Sequence, residues 1–196
     1  MKRIVIFASG SGTNAENLIK FFHNRNNASV IQVFTNNPHA KVLGRCNKLK
    51  VNALIFNRKQ FTETDEVLNS LKELNPDIIV LAGFLWKIPG NLLKEFSNKI
   101  INIHPSLLPK YGGKGMYGKH VHEAVVKNKD VRTGITVHYV NENYDEGAII
   151  FQAICYVDTL DNADDVARKI HDLEMEHFPK VVDKLLSEKY FRRCEK

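Results

Sequence analysis

The run Ile78-Ile79-Val80-Leu81-Ala82 is apolar at every position and rich in β-branched residues. Burial on both faces is the mark of a strand inside a parallel sheet, and parallel neighbours need long crossover connections, usually helices. Such connections are present. Ile4 to Ala8, Val30 to Phe34 and Ala53 to Phe56 are further strand-length apolar runs. Between them, Asn14 to Phe22 and Lys41 to Lys50 carry apolar residues at helical spacing. Another helix is expected to open at Thr62, with Asp65 three residues on as its capping partner, and to run through Leu68 and Leu71 to Asn75-Pro76. A short helix from Pro89 to Phe96 leads into Ile100-Ile101. This alternation predicts a doubly wound, mostly parallel α/β sheet with right-handed crossovers.

Beyond His104 the pattern changes. Residues 110–119 hold Gly112, Gly113, Gly115 and Gly118 and predict a mobile surface loop. His120 to Lys127 reads as a helix. Thr133 to Val140 and Ile149 to Val157 read as strands, antiparallel because no helix fits in Asn141 to Gly147 between them. Asn162 to Leu186 predicts a long C-terminal helix with Val166, Ile170, Leu173, Val181 and Leu185 inward and a bend at Pro179.

With 196 residues, 43% apolar and 26% charged, the chain reads as one globular domain over residues 1–188 and a basic tail, 189–196, carrying Lys189, Arg192, Arg193 and Lys196. The apolar run after Met1-Lys2-Arg3 is too short for a signal peptide, and no stretch is long enough to span a bilayer, so a cytoplasmic protein is expected. The net charge of +6 favours anionic partners. Scattered lysines and arginines without interleaved aromatics argue against nucleic acid, and a solvated surface or a small anionic substrate explains the charge at least as well. Cys46, Cys155 and Cys194 share no metal or redox spacing and read as reduced thiols.

The candidate chemistry falls at strand ends, where open α/β sheets bind ligands. Ser9-Gly10-Ser11-Gly12-Thr13-Asn14 joins the first strand to the first helix, so backbone amides and the helix dipole can hold a phosphate there, although a tight turn needs the same glycines. Phe84-Leu85-Trp86 comes after the apolar strand and reads either as core or as a wall for a flat ring. Asn102 and His104 are two apart near a strand end, hence on one face, with Pro105 and Pro109 stiffening the exit. Asp145, in Tyr144-Asp145-Glu146-Gly147, is either a turn residue or a carboxylate beside His104. Glu174 sits near the inward face of the last helix.

Gly10-Ser11-Gly12-Thr13-Asn14, Leu81-Ala82-Gly83-Phe84, Asn102-Ile103-His104-Pro105-Ser106-Leu107-Leu108-Pro109-Lys110-Tyr111, Gly134-Ile135-Thr136-Val137-His138 and Asp145-Glu146-Gly147 together resemble the folate-dependent formyltransferases, in the usual order. The phosphate loop and the short chain select those acting on glycinamide ribonucleotide. The resemblance covers residues 1 to about 186. It implies a Rossmann-like formyltransferase fold with an antiparallel C-terminal strand pair, 10-formyltetrahydrofolate as co-substrate, no metal, and a place in purine synthesis. It makes Asn102, His104 and Asp145 catalytic. Gly12, Thr13 and Asn14 would hold the nucleotide phosphate and Glu174 the amine end. Leu85, Trp86, Lys87, Ile88, Asn102, Val140, Asn141 and Asn143 would contact folate. The Gly-rich segment after Tyr111 is longer than the common family form, and Trp86-Lys87 replaces a basic and aliphatic pair.

Formyl transfer needs a donor for the oxygen that gains charge and an acid for the leaving nitrogen. Asn102 would be the donor, and His104, held as a cation by Asp145, the acid. The alternatives are another 10-formyltetrahydrofolate-using formyltransferase, acting on methionyl-tRNA or an amino sugar, a hydrolase of the cofactor, or a non-catalytic nucleotide-binding module. The expected assembly is a monomer or homodimer.

Overall fold

The structure, a computed structural model, describes residues 1–187; the basic tail expected at 189–196 and Cys194 lie outside the described residues. Its strands are β1 (Lys2–Phe7), β2 (Ala28–Thr35), β3 (Ala53–Ile55), β4 (Ile78–Leu81), β5 (Ile100–His104), β6 (Arg132–Tyr139) and β7 (Ile149–Tyr156). Hydrogen-bonded neighbours run in the order β3-β2-β1-β4-β5-β6-β7. The β1–β2, β1–β4 and β2–β3 pairs are parallel, whereas β6–β7 is antiparallel. The helices are α1 (Thr13–His23), α2 (Lys41–Lys48), α3 (Arg58–Thr62), α4 (Glu66–Leu74), α5 (Gly90–Glu95), α6 (Lys119–Lys127) and α7 (Ala163–Ser187). This is the doubly wound sheet with an antiparallel C-terminal pair and a long final helix that the apolar pattern predicts. Among the described residues the chain groups into two compact units, Met1–Ile101 with residues 182–187, and Asn102–Val181.

In the first unit β1 is the centre, with Ile4 opposite Val30 and Ile78, and Phe7 opposite Phe34 and Leu81. All four residues of β4 and the last four of β1 are buried. Full burial of one such side chain contributes roughly 1.5–3 kcal/mol, whereas an exposed pair such as Lys2–Asp77 is worth about 0–1 kcal/mol. The apolar strands therefore decide the architecture. Phe7 stacks on Phe34 with ring centroids 4.9 Å apart, and Phe56, Phe61 and Phe84 pack edge-on or tilted around them.

The helix expected to open at Thr62 and run to Leu74 opens only at Glu66, because Thr62 ends a separate helix, α3. A capping box at Asn57 and Gln60, with bonds of 2.9 and 2.8 Å, starts α3 ahead of Thr62. Thr62 is the last residue of α3, its hydroxyl donating back to the Arg58 carbonyl at 2.9 Å, and so does not stand at the N-cap of α4. Asp65 precedes α4 without a side-chain cap. Burying Phe61 in the aromatic cluster overrides the periodicity that suggested one continuous helix.

In the second unit β6 is buried from Thr133 to His138, and β7 exposes alternate residues, Gln152, Ile154 and Tyr156, along its length. The α7 helix runs through Pro179 as one element and buries Val166, Ile170, Phe178, Val181, Val182 and Leu185. Leu173 is only half-buried.

Candidate active site

Strand alternation sends Asn102 and His104 to the same face of β5, and both reach one carboxylate. His104 Nδ1 lies 3.5 Å from Asp145 Oδ2, and Asn102 Nδ2 lies 3.5 Å from Asp145 Oδ1. Asp145 comes from the β6–β7 connection, where its φ of 58° is the left-handed conformation that an aspartate tolerates. Its turn geometry is what aims the carboxylate at His104 and Asn102. The Gly113 amide donates to Asp145 Oδ2 at 2.9 Å. A Cβ at Gly112 would come within 2.7 Å of Leu108 and 3.3 Å of Asp145. The first glycines of the loop expected to be mobile are therefore packed against the carboxylate.

Sequence reasoning missed His138 as part of this cluster. It is 2% exposed, and its Nε2 lies 3.1 Å from Asn102 Nδ2 and 3.6 Å from Asp145 Oδ1. Its Nδ1 lies 2.8 Å from the Tyr139 carbonyl, which only accepts, so Nδ1 carries hydrogen and neutral Nε2 accepts from Asn102. The signal was period two on β6: Thr136 and His138 share a face, flanked by apolar Ile135 and Val137. Thr136 accepts from the Leu108 amide at 3.0 Å and donates to the Ser106 carbonyl at 2.7 Å. That face of β6 holds the segment leaving His104.

The protonation pattern corrects one expectation. His104 is 4% exposed, and burial lowers its proton affinity below that of an ordinary histidine; Asp145 and the Tyr111 carbonyl offset part of the effect, while His138 adds to it. His104 therefore rests neutral, not as the cation expected beside a carboxylate. Burial would raise the Asp145 pKa, but a hydrogen bond from His138 when protonated, the positive charge of His104 when protonated and the Gly113 amide together hold it below the usual carboxylate range. The resting pair is a carboxylate and a neutral imidazole.

Gly12, Thr13 and Asn14 open α1. Gly12 has φ of 73°, and a Cβ there would meet Val42 at 2.4 Å. No side chain caps the helix. Arg45, which the sequence did not single out, donates from Nε to the Ser11 carbonyl at 2.8 Å and pairs with Glu16.

The remaining sequence candidates are spread over other elements. After β4, Leu85 is 49% exposed and Lys87 exposed, whereas Ile88 is buried. Trp86 is half-buried: it packs on Phe56 and Phe61, with the Arg58 guanidinium 5.1 Å from its ring centroid. Between β6 and β7, Val140 is half-buried and Asn141 and Asn143 are exposed. Glu174 lies on α7 with its carboxylate 3.9 Å from His171 Nδ1. No group of three or more His, Cys, Asp or Glu among the described residues is placed to hold a metal ion.

A Rossmann-like sheet with a buried imidazole and a half-buried amide and carboxylate gathered at the end of β5 presents the groups that acid–base group transfer needs. The family model described as formyl transferase matches residues 2–182. The chain is 34% identical over 191 residues to phosphoribosylglycinamide formyltransferase of Bacillus subtilis (strain 168), covering 95% of each. It is 34% identical to the enzyme of that name from Haemophilus influenzae, covering 93% of this chain and 86% of that one. The crystal structure of phosphoribosylglycinamide formyltransferase from Anaplasma phagocytophilum superposes with a TM-score of 0.88 at 31% identity, covering 96% of this chain and 88% of that one. The chain belongs to the formyl transferase family, in its phosphoribosylglycinamide formyltransferase branch.

Proposed function

We propose that the chain transfers the formyl group of 10-formyltetrahydrofolate to the amine of glycinamide ribonucleotide, a step of purine biosynthesis. The observation that carries this reading is the Asn102, His104 and Asp145 cluster in a chain of this family. The Nε2 of His104 lies 2.8 Å from the Tyr111 carbonyl, so in the neutral ring the hydrogen sits on Nε2 and the basic atom is Nδ1, beside Asp145. The substrate amine attacks the formyl carbon, and Asn102 donates to the oxygen as it gains charge. The long 3.5 Å bond from Asn102 to Asp145 is the one that yields. His104 takes the proton released as the new C–N bond forms, and Asp145 stabilises the resulting imidazolium. The imidazolium then protonates the folate nitrogen as its bond to the formyl carbon breaks. The proton lost by one nitrogen is the proton gained by the other.

The uncapped backbone amides at the start of α1, with Thr13 and Asn14, hold the ribonucleotide phosphate. Glu174 faces the amine substrate. Leu85, Trp86, Lys87, Ile88, Val140, Asn141 and Asn143 contact folate, Ile88 from within the core. Residues 1–188 act as one catalytic domain, in the cytoplasm, as a monomer or homodimer and without nucleic acid. The test is to measure loss of the formyl group with and without glycinamide ribonucleotide. Transfer that requires the amine supports the assignment; equal consumption without it identifies a hydrolase instead.

A further inference from the structure

A neutral imidazole has one N–H, and His104 has two acceptors competing for it. The Tyr111 carbonyl lies 2.8 Å from Nε2, and Asp145 Oδ2 lies 3.5 Å from Nδ1. A carboxylate is the stronger acceptor, so the hydrogen stays on Nε2 only while the carbonyl is kept close. The other polar side chains of the cluster, His138 and Asn102, bond each other.

Tyr111 is an unusual residue to supply that carbonyl. Its φ of 58° is a left-handed conformation that a bulky aromatic residue avoids unless its surroundings hold it. The phenol shows what does so. Tyr111 Oη donates to Asp130 Oδ2 at 2.8 Å and accepts from Asn128 Nδ2 at 2.7 Å. Lys110 Nζ bonds both Asp130 oxygens at 2.6 and 2.7 Å and lies 5.0 Å from the Tyr111 ring centroid. Asn128 and Asp130 are themselves set by the end of α6, their amides donating to Ala124 and Val125 at 3.0 and 3.2 Å. One side chain thus ties the carbonyl that meets the His104 ring to the end of a helix.

We infer that the clasp of Asp130 and Asn128 on the Tyr111 phenol positions His104, by holding the carbonyl that decides which ring nitrogen carries the hydrogen. Asp130 is a positioning residue acting through Tyr111. Releasing the clasp lets the hydrogen move to Nδ1, toward Asp145, and removes the lone pair that takes the proton of the attacking amine. The inference rests on the role assigned to His104 in formyl transfer, but the tautomer is measurable without turnover.

The experiment is ¹⁵N NMR of the His104 ring above its pKa in the wild type, Tyr111→Phe, Asp130→Ala and Asp130→Asn, with kcat and KM measured alongside. The wild type should show Nε2–H. Tyr111→Phe and Asp130→Ala should move a substantial fraction to Nδ1–H and lower kcat by about tenfold, part of the 10²–10⁴ attributable to a positioned acid or base, with little change in either KM. Asp130→Asn keeps a bonding group of the same shape and should retain Nε2–H. An unchanged tautomer in either disruptive variant, or no rescue by Asp130→Asn, overturns the inference. If the tautomer moves in the variants while the wild type transfers no formyl group, the proposed function fails and the clasp stands.

Discussion

Under the proposed function, the loop at the start of α1 and the cluster at the end of β5 would work by different means. In the proposed function the loop is a backbone device: Gly12 adopts a conformation and a closeness to Val42 that a side chain forbids, and amides at a helix start need no titration. The cluster is a side-chain device, in which two buried histidines, an amide and a carboxylate define one another's hydrogen bonds. Backbone sites should give affinity that is insensitive to pH, whereas buried side-chain clusters should give chemistry that depends on it.

The comparison is tested most severely at His104. His104→Ala should lower kcat by about 10²–10⁴ with small changes in KM, and Asn102→Asp should be comparably harmful because a charge replaces the donor aimed at the developing oxyanion. Near-normal turnover in either variant, measured at saturating substrates, would take the cluster out of the chemistry.

Asp145→Asn keeps the shape of the turn residue and removes its charge. Asp145 raises the proton affinity of His104 against the larger opposing effect of burial, so the variant's histidine should titrate lower still and its maximal rate should fall. An NMR titration of His104 in both proteins, beside the pH dependence of kcat, checks this; an unmoved histidine with full activity would reduce Asp145 to a turn.

On the loop, Thr13→Ala with Asn14→Ala should raise KM for the ribonucleotide, spare KM for the folate substrate and leave the pH profile where it was. Equal damage to both constants would contradict a phosphate site confined to the helix terminus. Glu174→Ala should likewise act on the amine substrate alone.

The smallest effect is on stability. His104 binds its proton less readily folded than unfolded, so its neutral burial supports the fold fully above its ordinary pKa of 6.5, and that support is lost as the pH falls below it. His122, whose pKa burial also lowers, acts in the same sense. Asp145 has the depressed carboxylate's pattern, stabilising above its ordinary 3.8 and losing that contribution as the pH falls through its lower folded value. Urea unfolding from about pH 7 to 5 should show decreasing stability, and His104→Gln should flatten part of the decline. A decline as steep in the variant would assign it elsewhere.

What the chain's own order determined is local. A fully apolar β-branched run specifies a strand covered on both faces, the spacing of Asn102 and His104 places them on one side of it, and glycines before a helix specify an open N-terminus. Each depends on neighbours a few residues away, and periodicity reports such neighbours directly. Thr62 shows the limit, because its capping pattern was sound but Phe61 and the Asn57 box had already placed a helix there. Only the tertiary structure could bring Asp145, His138 and the Tyr111 carbonyl to the same few ångströms, since nothing in local spacing relates them to β5. It also decided the sign of the His104 shift. A nearby carboxylate favours the imidazolium and burial disfavours it, and how completely a ring is withdrawn from water is a property of the packed chain as a whole.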